Sequence, residues 1–235
     1  MPDYFDLNKR VALITGASRG LGLAMAEALA EVGATVILNG RDANTLKVAA
    51  DRMHDRGLKA ETSAFDVTDR RAADAGIIHR APLADWTSEA WDEVLAANLK
   101  ACFFLAQQAA APMRNQRHGR IIFITSIAGI LGRSTVHAYV ASKSGLAGLT
   151  RSLAAELGEY GITCNAISPG WFETEFTAAL LQDETFVANI NNRVPLRRWG
   201  KPPDLAGTAI FLASDAASYM TAQQIVVDGG LSATM

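Results

Sequence analysis

The sequence predicts an α/β fold in which helices cover both faces of a doubly wound parallel sheet, giving three layers. Short apolar runs alternate with helical stretches along the whole chain, as βαβ units require. A glycine-rich turn follows the first apolar run and opens the first helix. The 235 residues, 49% hydrophobic and 20% charged, suit one compact domain over residues 1–235.

Each element is predicted from a run of residues and the signals at its ends. In the first half, strands at 10–15, 35–39 and 59–65 alternate with helices at 23–33 and 43–56, and both helices end near a glycine. In the second half, helices at 88–114, 136–159 and 204–213 alternate with strands at 120–125, 162–168 and 224–230. The alternation implies seven strands, and six are found.

The missing strand falls between Asp66 and Trp86. Only nine residues separate Asp66 from Gly76, whereas a parallel crossover with its helix needs at least about a dozen. Three explanations stay open: an incomplete sequence, a genuine deletion, and a sheet that closes by pairing the first strand with the strand at 120–125.

The turn TGASRGLG, residues 15–22, has the properties of a phosphate-binding loop. Its glycines let the backbone turn tightly and approach a pyrophosphate, which then lies at the positive end of a helix. Because the turn follows the first strand of a βαβ unit, it predicts a Rossmann-type dinucleotide site. The residues of that site are Gly16, Ser18, Arg19, Gly20, Leu21 and Gly22.

The end of the second strand favours NADP over NAD. An NAD enzyme places an acid there to bind the ribose 2′-hydroxyl, but this chain has Asn39, Gly40 and Arg41. Arg41 and Arg19 suit a 2′-phosphate. Either arginine is also consistent with a solvated surface charge, and Asp42 is consistent with a helix cap rather than a ribose ligand.

Tyr139 and Lys143 are four residues apart in a predicted helix and therefore share a face. Tyrosine is ordinarily too weak an acid for proton transfer at neutral pH, and a nearby ammonium favours the phenolate. Ser126 follows the strand at 120–125, where its hydroxyl can hold a reacting carbonyl oxygen. Together these residues predict a carbonyl reductase site.

These motifs resemble the short-chain dehydrogenase/reductase family over nearly the whole chain. The matching features are the TGASRGLG turn, Asp66-Val67, Asn98 in AANLKACF, Ser126, YVASK, SPGWFET and the late VDGG. The resemblance implies a catalytic tetrad of Asn98, Ser126, Tyr139 and Lys143. Tyr139 would be the acid/base, Ser126 the carbonyl clamp and Lys143 the ribose ligand that supports ionisation of the tyrosine, while Asn98 would hold a water.

The same resemblance implies further cofactor contacts. Asp66 would bind the adenine amino group with Val67 beside the ring, and the nicotinamide carboxamide would contact Pro169, Gly170, Phe172 and Thr174. Family members carry a helix, a strand and an Asn-Asn-Ala-Gly turn between the positions of Thr68 and Ile77. Here Ala75 and Gly76 keep the end of that cofactor-binding turn, and Asp74 stands where an asparagine is expected.

Within the family, the tracts GIIHRAPLADWTSEAWDEVL and RVPLRRWGKP are most similar to gluconate 5-dehydrogenases. Those enzymes interconvert D-gluconate and 5-dehydrogluconate, usually with NADP. The candidate cations for a sugar-acid carboxylate are Arg80, Arg133, His137, Arg193 and Arg197. Two alternatives stay open: another carbonyl substrate, such as a 3-oxoacyl thioester or another sugar, and a catalytically impaired homologue that lacks the missing segment.

Composition argues against other classes of partner. The net charge of −2 gives no electrostatic reason to expect nucleic acid or an anionic membrane. The first residues lack an apolar signal segment, so we expect a cytoplasmic protein. Cys102 and Cys164 have no metal or redox spacing and are expected to be free thiols. The resemblance suggests a homotetramer or dimer built through the two long helices and the final strand.

Overall fold

The computed structural model describes residues 3–65 and 77–234. Within them the strands are β1 (Val11–Thr15), β2 (Thr35–Gly40), β3 (Ala60–Ala64), β4 (Gly119–Ile124), β5 (Ile162–Pro169) and β6 (Gln224–Val227). The helices are α1 (Gly20–Glu31), α2 (Ala43–Asp55), α3 (Ser88–Leu95), α4 (Ala101–Gln116), α5 (Ala128–Leu131), α6 (His137–Leu157), α7 (Ala178–Leu181), α8 (Glu184–Arg193) and α9 (Pro203–Ala213). Short 3₁₀ turns lie at Leu83–Asp85, Gly158–Tyr160, Glu175–Thr177 and Asp215–Ala217.

The alternation of strands and helices predicted from the sequence is confirmed. All six predicted strands are present, each within a few residues of its predicted bounds. The stretch predicted as one helix at 88–114 consists of α3 and α4, joined by a π-helical turn at Ala96–Lys100. The short helices α5, α7 and α8 were not assigned from periodicity.

The chain forms two compact units. The first comprises Met1–Ala64, Pro169–Ala217 and Val226–Met235. In it β1, β2 and β3 form a parallel sheet, with Val11 opposite Thr35 and Val36 opposite Ala60. Its core contains the buried strand residues Val36 and Leu38, which lie in one cluster with Leu29, Leu46 and Met53 of α1 and α2.

The second unit comprises Phe65–Ser168 and Ser218–Ile225. In it β4 and β5 pair in parallel, with Gly119 opposite Ile162 and Ile124 opposite Ile167. Every residue of β5 is buried, as expected for a strand covered on both faces. Phe123 and Cys164 of this sheet lie in one core cluster with Ala106 of α4 and Leu146 of α6.

The strands fall into two three-stranded sheets, ordered β1-β2-β3 and β4-β5-β6. Across residues 3–65 and 77–234, β1 pairs with β2 alone, so the direct pairing of β1 with β4 considered above is not seen. The side chains of Val11 and Leu13 on β1 are 68% and 48% exposed. β1 is therefore an edge strand with an apolar side.

The continuous helical stretch Ser88–Gln116 is, by length and composition alone, long and apolar enough to cross a membrane, with a mean hydropathy of 1.2 over its best window. The core helices of soluble proteins meet the same criterion. Ala106 and Ala110 of this stretch lie in the core of the second unit, and Asn98 within it is buried. We therefore interpret it as a core helix.

Candidate functional site

The glycine-rich turn between β1 and α1 is held in a conformation that requires glycine. Gly16 and Gly20 have φ angles of +64° and +60°, in the left-handed region that side chains disfavour. A Cβ on Gly22 would lie 2.3 Å from the carbonyl oxygen of Gly16. The amide of Ala17 donates to the carbonyl of Asn39 at 2.9 Å, which joins the turn to the end of β2. The turn therefore presents backbone rather than side chains at the start of α1.

The end of β2 carries no acid. Asn39 is buried and its Nδ2 donates to the carbonyl of Ser63 at 2.9 Å, so its side chain is hydrogen-bonded to the neighbouring strand β3. Arg41 follows as an exposed cation. Asp42 caps α2 by accepting from the Thr45 amide at 2.7 Å, and this hydrogen bond lowers the pKa of its carboxyl. The helix-cap interpretation of Asp42 is thereby confirmed.

Arg19 lies at the N-cap of α1, where its Nη1 forms an ion pair with Oε2 of Glu175 at 2.6 Å. Both side chains are about two-thirds exposed, at 70% and 66%. Exposed pairs of this kind are worth about 0–1 kcal/mol, so Arg19 can exchange Glu175 for a stronger anion. The sequence reasoning missed Glu175, because 155 residues intervene and no spacing pattern connects the two.

The segment after β5 is tightly packed where the nicotinamide contacts were expected. A Cβ on Gly170 would lie 2.6 Å from Cβ of Asp228, and its amide donates to the carbonyl of Val227 at 2.9 Å. Phe172 is buried, and its carbonyl accepts from Oγ1 of Thr177 at 2.7 Å. Thr174 forms a reciprocal capping box with the same Thr177. Pro169 ends β5, so these four predicted residues form one ordered stretch of the first unit.

In the second unit Asn98 lies in the π-helical turn and is 1% exposed. Its Oδ1 accepts from the Ile77 amide at 2.8 Å, and its Nδ2 donates to the Ile77 carbonyl at 2.9 Å. Nδ2 also lies 3.3 Å from Oγ of Ser142, which in turn donates to the Tyr139 carbonyl at 2.7 Å. The side chain of Asn98 therefore clamps the backbone at Ile77 and connects it to α6.

The proton-transfer residues lie around the start of α6 and the end of β4. Lys143 is 9% exposed and its Nζ donates to the carbonyl of Ile124 at 2.9 Å. The same Nζ lies 5.6 Å from the ring centroid of Tyr139, so the two side chains share a face as predicted. Ser126 follows β4, and its Oγ accepts from the Ala128 amide at 3.1 Å. Its hydroxyl hydrogen can still be donated to a ligand.

A hydroxyl pair next to Ser126 was missed by the sequence reasoning. Oγ1 of Thr125 lies 2.5 Å from Oγ of Ser168, and the Thr125 amide donates to the Ile167 carbonyl at 2.8 Å. Nε2 of Gln224 donates to the same Ser168 at 2.8 Å. These contacts join the ends of β4 and β5 and fix the backbone that carries Ser126. The only sequence signal was a hydroxyl residue at the end of each strand.

The candidate cations divide between the two units. Arg80, Arg133 and His137 belong to the second unit, which also holds the tetrad residues. Arg193 and Arg197 belong to the first unit, where Nη1 of Arg197 donates to the carbonyl of Asn192. The predicted contacts Asp66, Val67, Ala75 and Gly76 lie outside the described residues.

Both cysteines are free, as expected from the sequence. Cys164 on β5 is fully buried, and burial raises the pKa of its thiol to about 12. Burial also raises the pKa of Cys102, against the opposing charge of Lys143. In the described part of the chain, no group of three or more His, Cys, Asp or Glu side chains is arranged to hold a metal ion.

Comparison with known families identifies the chain. A model described as short chain dehydrogenase matches residues 10–76, and a model described as enoyl-(acyl carrier protein) reductase matches residues 72–232. A gluconate 5-dehydrogenase of Gluconobacter oxydans is 38% identical over 253 positions, covering 100% of this chain and 99% of that protein. The chain belongs to the short-chain dehydrogenase family.

A solved structure and a further sequence relative agree with the assignment to the short-chain dehydrogenases. The crystal structure of a gluconate 5-dehydrogenase from Burkholderia cenocepacia, in complex with NADP and tartrate, has a TM-score of 0.94 and 38% identity, with 99% of each chain covered. A 3-oxoacyl-(acyl-carrier-protein) reductase of Vibrio cholerae is 36% identical, covering 96% of this chain and 98% of that protein. The α/β fold class predicted from the sequence is confirmed.

The comparison also locates this dehydrogenase's missing unit. The alignment with the Gluconobacter protein has 253 positions and this chain has 235 residues, so about 18 positions have no counterpart here. The two family models meet at residues 72–76, within the stretch where the strand count falls short. A shortfall of about 18 residues is the length of one helix and one strand, as the sequence predicted.

Proposed function

We propose that this short-chain dehydrogenase is an NADP(H)-dependent oxidoreductase that interconverts a secondary alcohol and a ketone on a sugar acid. D-gluconate and 5-dehydrogluconate are the first pair to test. The observation that carries the proposal is full-length similarity to gluconate 5-dehydrogenases, combined with Ser126, Tyr139 and Lys143 in one unit. The relative solved with NADP and tartrate, a hydroxy acid, supports both the cofactor and the substrate class.

The first unit fits a dinucleotide phosphate. A Cβ on Gly22 would clash with the Gly16 backbone, and Gly16 and Gly20 have left-handed φ angles. No side chain therefore covers the turn at these positions, and its backbone amides would bind the phosphates. The end of β2 supplies Arg41 in place of an acid, and Arg19 is held by an exposed pair that a 2′-phosphate can replace. NADP is therefore favoured over NAD.

In the second unit Tyr139 would hold and move the proton at the phenol oxygen. Nζ of Lys143 lies 5.6 Å from the centre of that ring, so its ammonium group is close to the phenol that gives its proton to the carbonyl oxygen. Ser126 would donate to the same carbonyl oxygen and orient it. The nicotinamide, when bound, supplies the hydride that reduces the carbonyl carbon.

Asn98 would act through the backbone in this scheme. Its side chain is occupied by both polar groups of Ile77, so the side chain positions that segment rather than contacting substrate. The π-helical turn leaves the regular hydrogen-bond ladder at this point, as such turns often do at functional sites. The Asn98 carbonyl accepts a hydrogen bond from Sγ of Cys102 at 3.5 Å. The same carbonyl would also accept a hydrogen bond from the proposed water.

A second candidate function is reduction of a 3-oxoacyl thioester, which the similarity to the Vibrio cholerae reductase favours. A third is an impaired homologue, because about 18 positions of the Gluconobacter relative have no counterpart here. We also propose a single-domain, cytoplasmic enzyme that acts as a homo-oligomer, dimer or tetramer, without nucleic acid or membrane as partners.

Steady-state kinetics tests these options together. The purified chain is assayed for NADPH and NADH oxidation with 5-dehydrogluconate and with a 3-oxoacyl thioester, and for NADP reduction with D-gluconate. We expect the highest kcat/KM for NADPH with 5-dehydrogluconate. Absence of turnover with every sugar ketoacid in a folded sample would overturn the proposal. A normal NADPH-dependent rise in Tm without turnover would then indicate the impaired homologue.

A further inference from the structure

The ion pair between Arg19 and Glu175 lies where the glycine-rich turn opens α1. Arg19 is the N-cap of α1, and its Nη1 contacts Oε2 of Glu175 at 2.6 Å although the two residues lie far apart along the chain. A Cβ on Gly20 would lie 3.9 Å from the Thr174 side chain, so the two segments also approach each other at the turn itself. Both segments belong to the first unit. Glu175 therefore brings a carboxylate to the turn that is expected to bind phosphate.

The segment around Glu175 is ordered by its own hydrogen bonds. Thr174 and Thr177 form a reciprocal capping box across the 3₁₀ turn, in which the Thr174 amide donates to Oγ1 of Thr177 at 3.0 Å. The same Oγ1 donates to the carbonyl of the buried Phe172 at 2.7 Å. Residues on both sides of Glu175 are thus fixed without the help of its carboxylate. A carboxylate presented in this way pairs with Arg19 at little cost in ordering.

The pair is nevertheless accessible to a competing anion. Both side chains are about two-thirds exposed, and exposed ion pairs are weak. The contact joins one guanidinium nitrogen to one carboxylate oxygen. A phosphate group carries about two negative charges and can accept two parallel hydrogen bonds from a guanidinium. Phosphate can therefore displace Glu175 from Arg19, and Glu175 opposes that exchange by occupying a donor and by repelling the phosphate charge.

We propose that Glu175 is a specificity-determining residue for the cofactor, because it occupies Arg19 in the free protein in place of the 2′-phosphate of NADP(H). This inference rests on the proposed function through the assignment of Arg19 to that phosphate. NAD(H) has a hydroxyl at the 2′ position, so the competition acts on NADP(H) alone. Glu175 therefore lowers the affinity for NADP(H) and narrows the difference in affinity between the two cofactors.

Calorimetric titration of the purified chain with NADPH and with NADH tests the inference. For Glu175→Gln, which keeps the side-chain length and removes the charge, we expect Kd for NADPH to fall about 3- to 5-fold, the size of one exposed ion pair. The Kd for NADH should stay unchanged, because NADH has no 2′-phosphate to compete for Arg19. Glu175→Asp keeps the charge on a shorter side chain and should be intermediate.

Asp51→Asn is the matched control. Asp51 pairs with Lys47 on α2 at 2.6 Å in the same unit, with side-chain exposures of 54% and 72%. Its replacement removes the same charge from an equally short and exposed pair, so it measures the effect of net charge alone. This variant should bind NADPH and NADH as wild type does. Tm values establish that every variant is folded.

A second comparison tests whether Glu175 acts through Arg19. In an Arg19→Gln background the carboxylate has lost its partner, so adding Glu175→Gln should change the Kd for NADPH by less than about 2-fold. Unchanged or weaker NADPH binding by the single variant Glu175→Gln would overturn the inference. An equal gain for NADH, or the same gain in Asp51→Asn, would also overturn it, because either result would indicate a general charge effect.

Binding of cofactor fragments distinguishes this inference from the proposed function. Adenosine 2′,5′-bisphosphate and 5′-AMP differ only in the 2′-phosphate, and their titration requires no turnover. If wild type reduces no sugar acid but Glu175→Gln tightens binding of the bisphosphate and not of AMP, the competition stands and the proposed function fails. If wild type reduces a sugar acid with NADPH and Glu175→Gln binds the bisphosphate no more tightly, the inference alone is refuted. Failure of both wild type and Glu175→Gln to bind the bisphosphate would also refute it.

Discussion

Gly22→Ala tests whether the turn between β1 and α1 has room for a side chain. The new Cβ would lie 2.3 Å from the Gly16 carbonyl oxygen and 2.8 Å from its carbonyl carbon. Ordinary carbon–oxygen contacts are about 3.3 Å, so helix and turn must separate by roughly 1 Å. Because both contacts are backbone, no side chain can rotate away. Overpacking of this kind costs about 1–3 kcal/mol.

Gly207→Ala supplies the reference for this change. Gly207 lies inside α9 in the same unit, and a Cβ there would meet nothing within 4 Å. That variant should gain about 0.5–1 kcal/mol from helix propensity alone. The difference in unfolding free energy between the two alanine variants therefore isolates the clash. At about 2–4 °C per kcal/mol for a chain of this size, Gly22→Ala should melt several degrees below Gly207→Ala.

NADPH binding gives the second measurement. A turn displaced by about 1 Å loses at least one amide contact to the pyrophosphate, so Kd for NADPH should rise about 10-fold or more in Gly22→Ala. Fluorescence titration of NADPH measures this change, and Gly207→Ala should retain the wild-type Kd. If the two variants match in both Tm and Kd, the close approach at Gly22 has no role and the cofactor assignment of the turn loses its main support.

Three further predictions concern single side chains. Asn98→Ala leaves the partly buried amide and carbonyl of Ile77 without the side chain that binds them, at about 1 kcal/mol for each group. Thermal unfolding should show a fall of a few degrees, and an unchanged Tm would contradict the clamp. Tyr139→Phe should lower kcat about 100- to 10,000-fold with Tm and NADPH Kd unchanged, and near-normal turnover would exclude Tyr139 as the acid. Burial raises the pKa of Cys164 to about 12 from near 9, so the folded state holds a proton that the unfolded state releases. Stability should be full below about pH 9 and fall as pH rises toward 12; denaturant titrations of Cys164→Ala should show a shallower decline, and an identical one would contradict this account.

Local spacing was sufficient to predict the order of strands and helices, the glycine turn and the shared face of Tyr139 and Lys143, because the governing interactions are local. The glycine turn follows from φ preferences and from the short distance between Gly16 and Gly22 along the chain. Tyr139 and Lys143 share a face because helix geometry makes it so. Hydrophobic periodicity predicted one helix across 88–114 and did not reveal the π-helical turn at Ala96–Lys100, which is defined by backbone hydrogen bonds rather than by residue type.

Contacts across long sequence separations could not be predicted in the same way. Glu175 pairs with Arg19 across most of the chain, and nothing in either neighbourhood specifies the other. The clamp of Asn98 on Ile77 is similar, because an asparagine in a helix gives no sign of which backbone segment it will hold. The turn before α6 contains Thr135, a residue type that ordinarily avoids its observed φ angle.

Each half of the proposed site is held in place by contacts within its own unit. The glycine turn is fixed within the first unit by Ala17 and Asn39, and the proton-transfer residues are fixed within the second by Lys143 on Ile124 and by the Asn98 clamp. Among the described residues β1 pairs with β2 alone, and the side chains of Val11 and Leu13 on β1 are exposed. NADPH binding therefore tests the glycine turn together with Lys143, the expected ribose ligand, whereas gluconate binding tests the substrate site and turnover tests the chemistry. Measured together, these three quantities separate an active dehydrogenase from a chain that has kept its ligand sites and lost its chemistry.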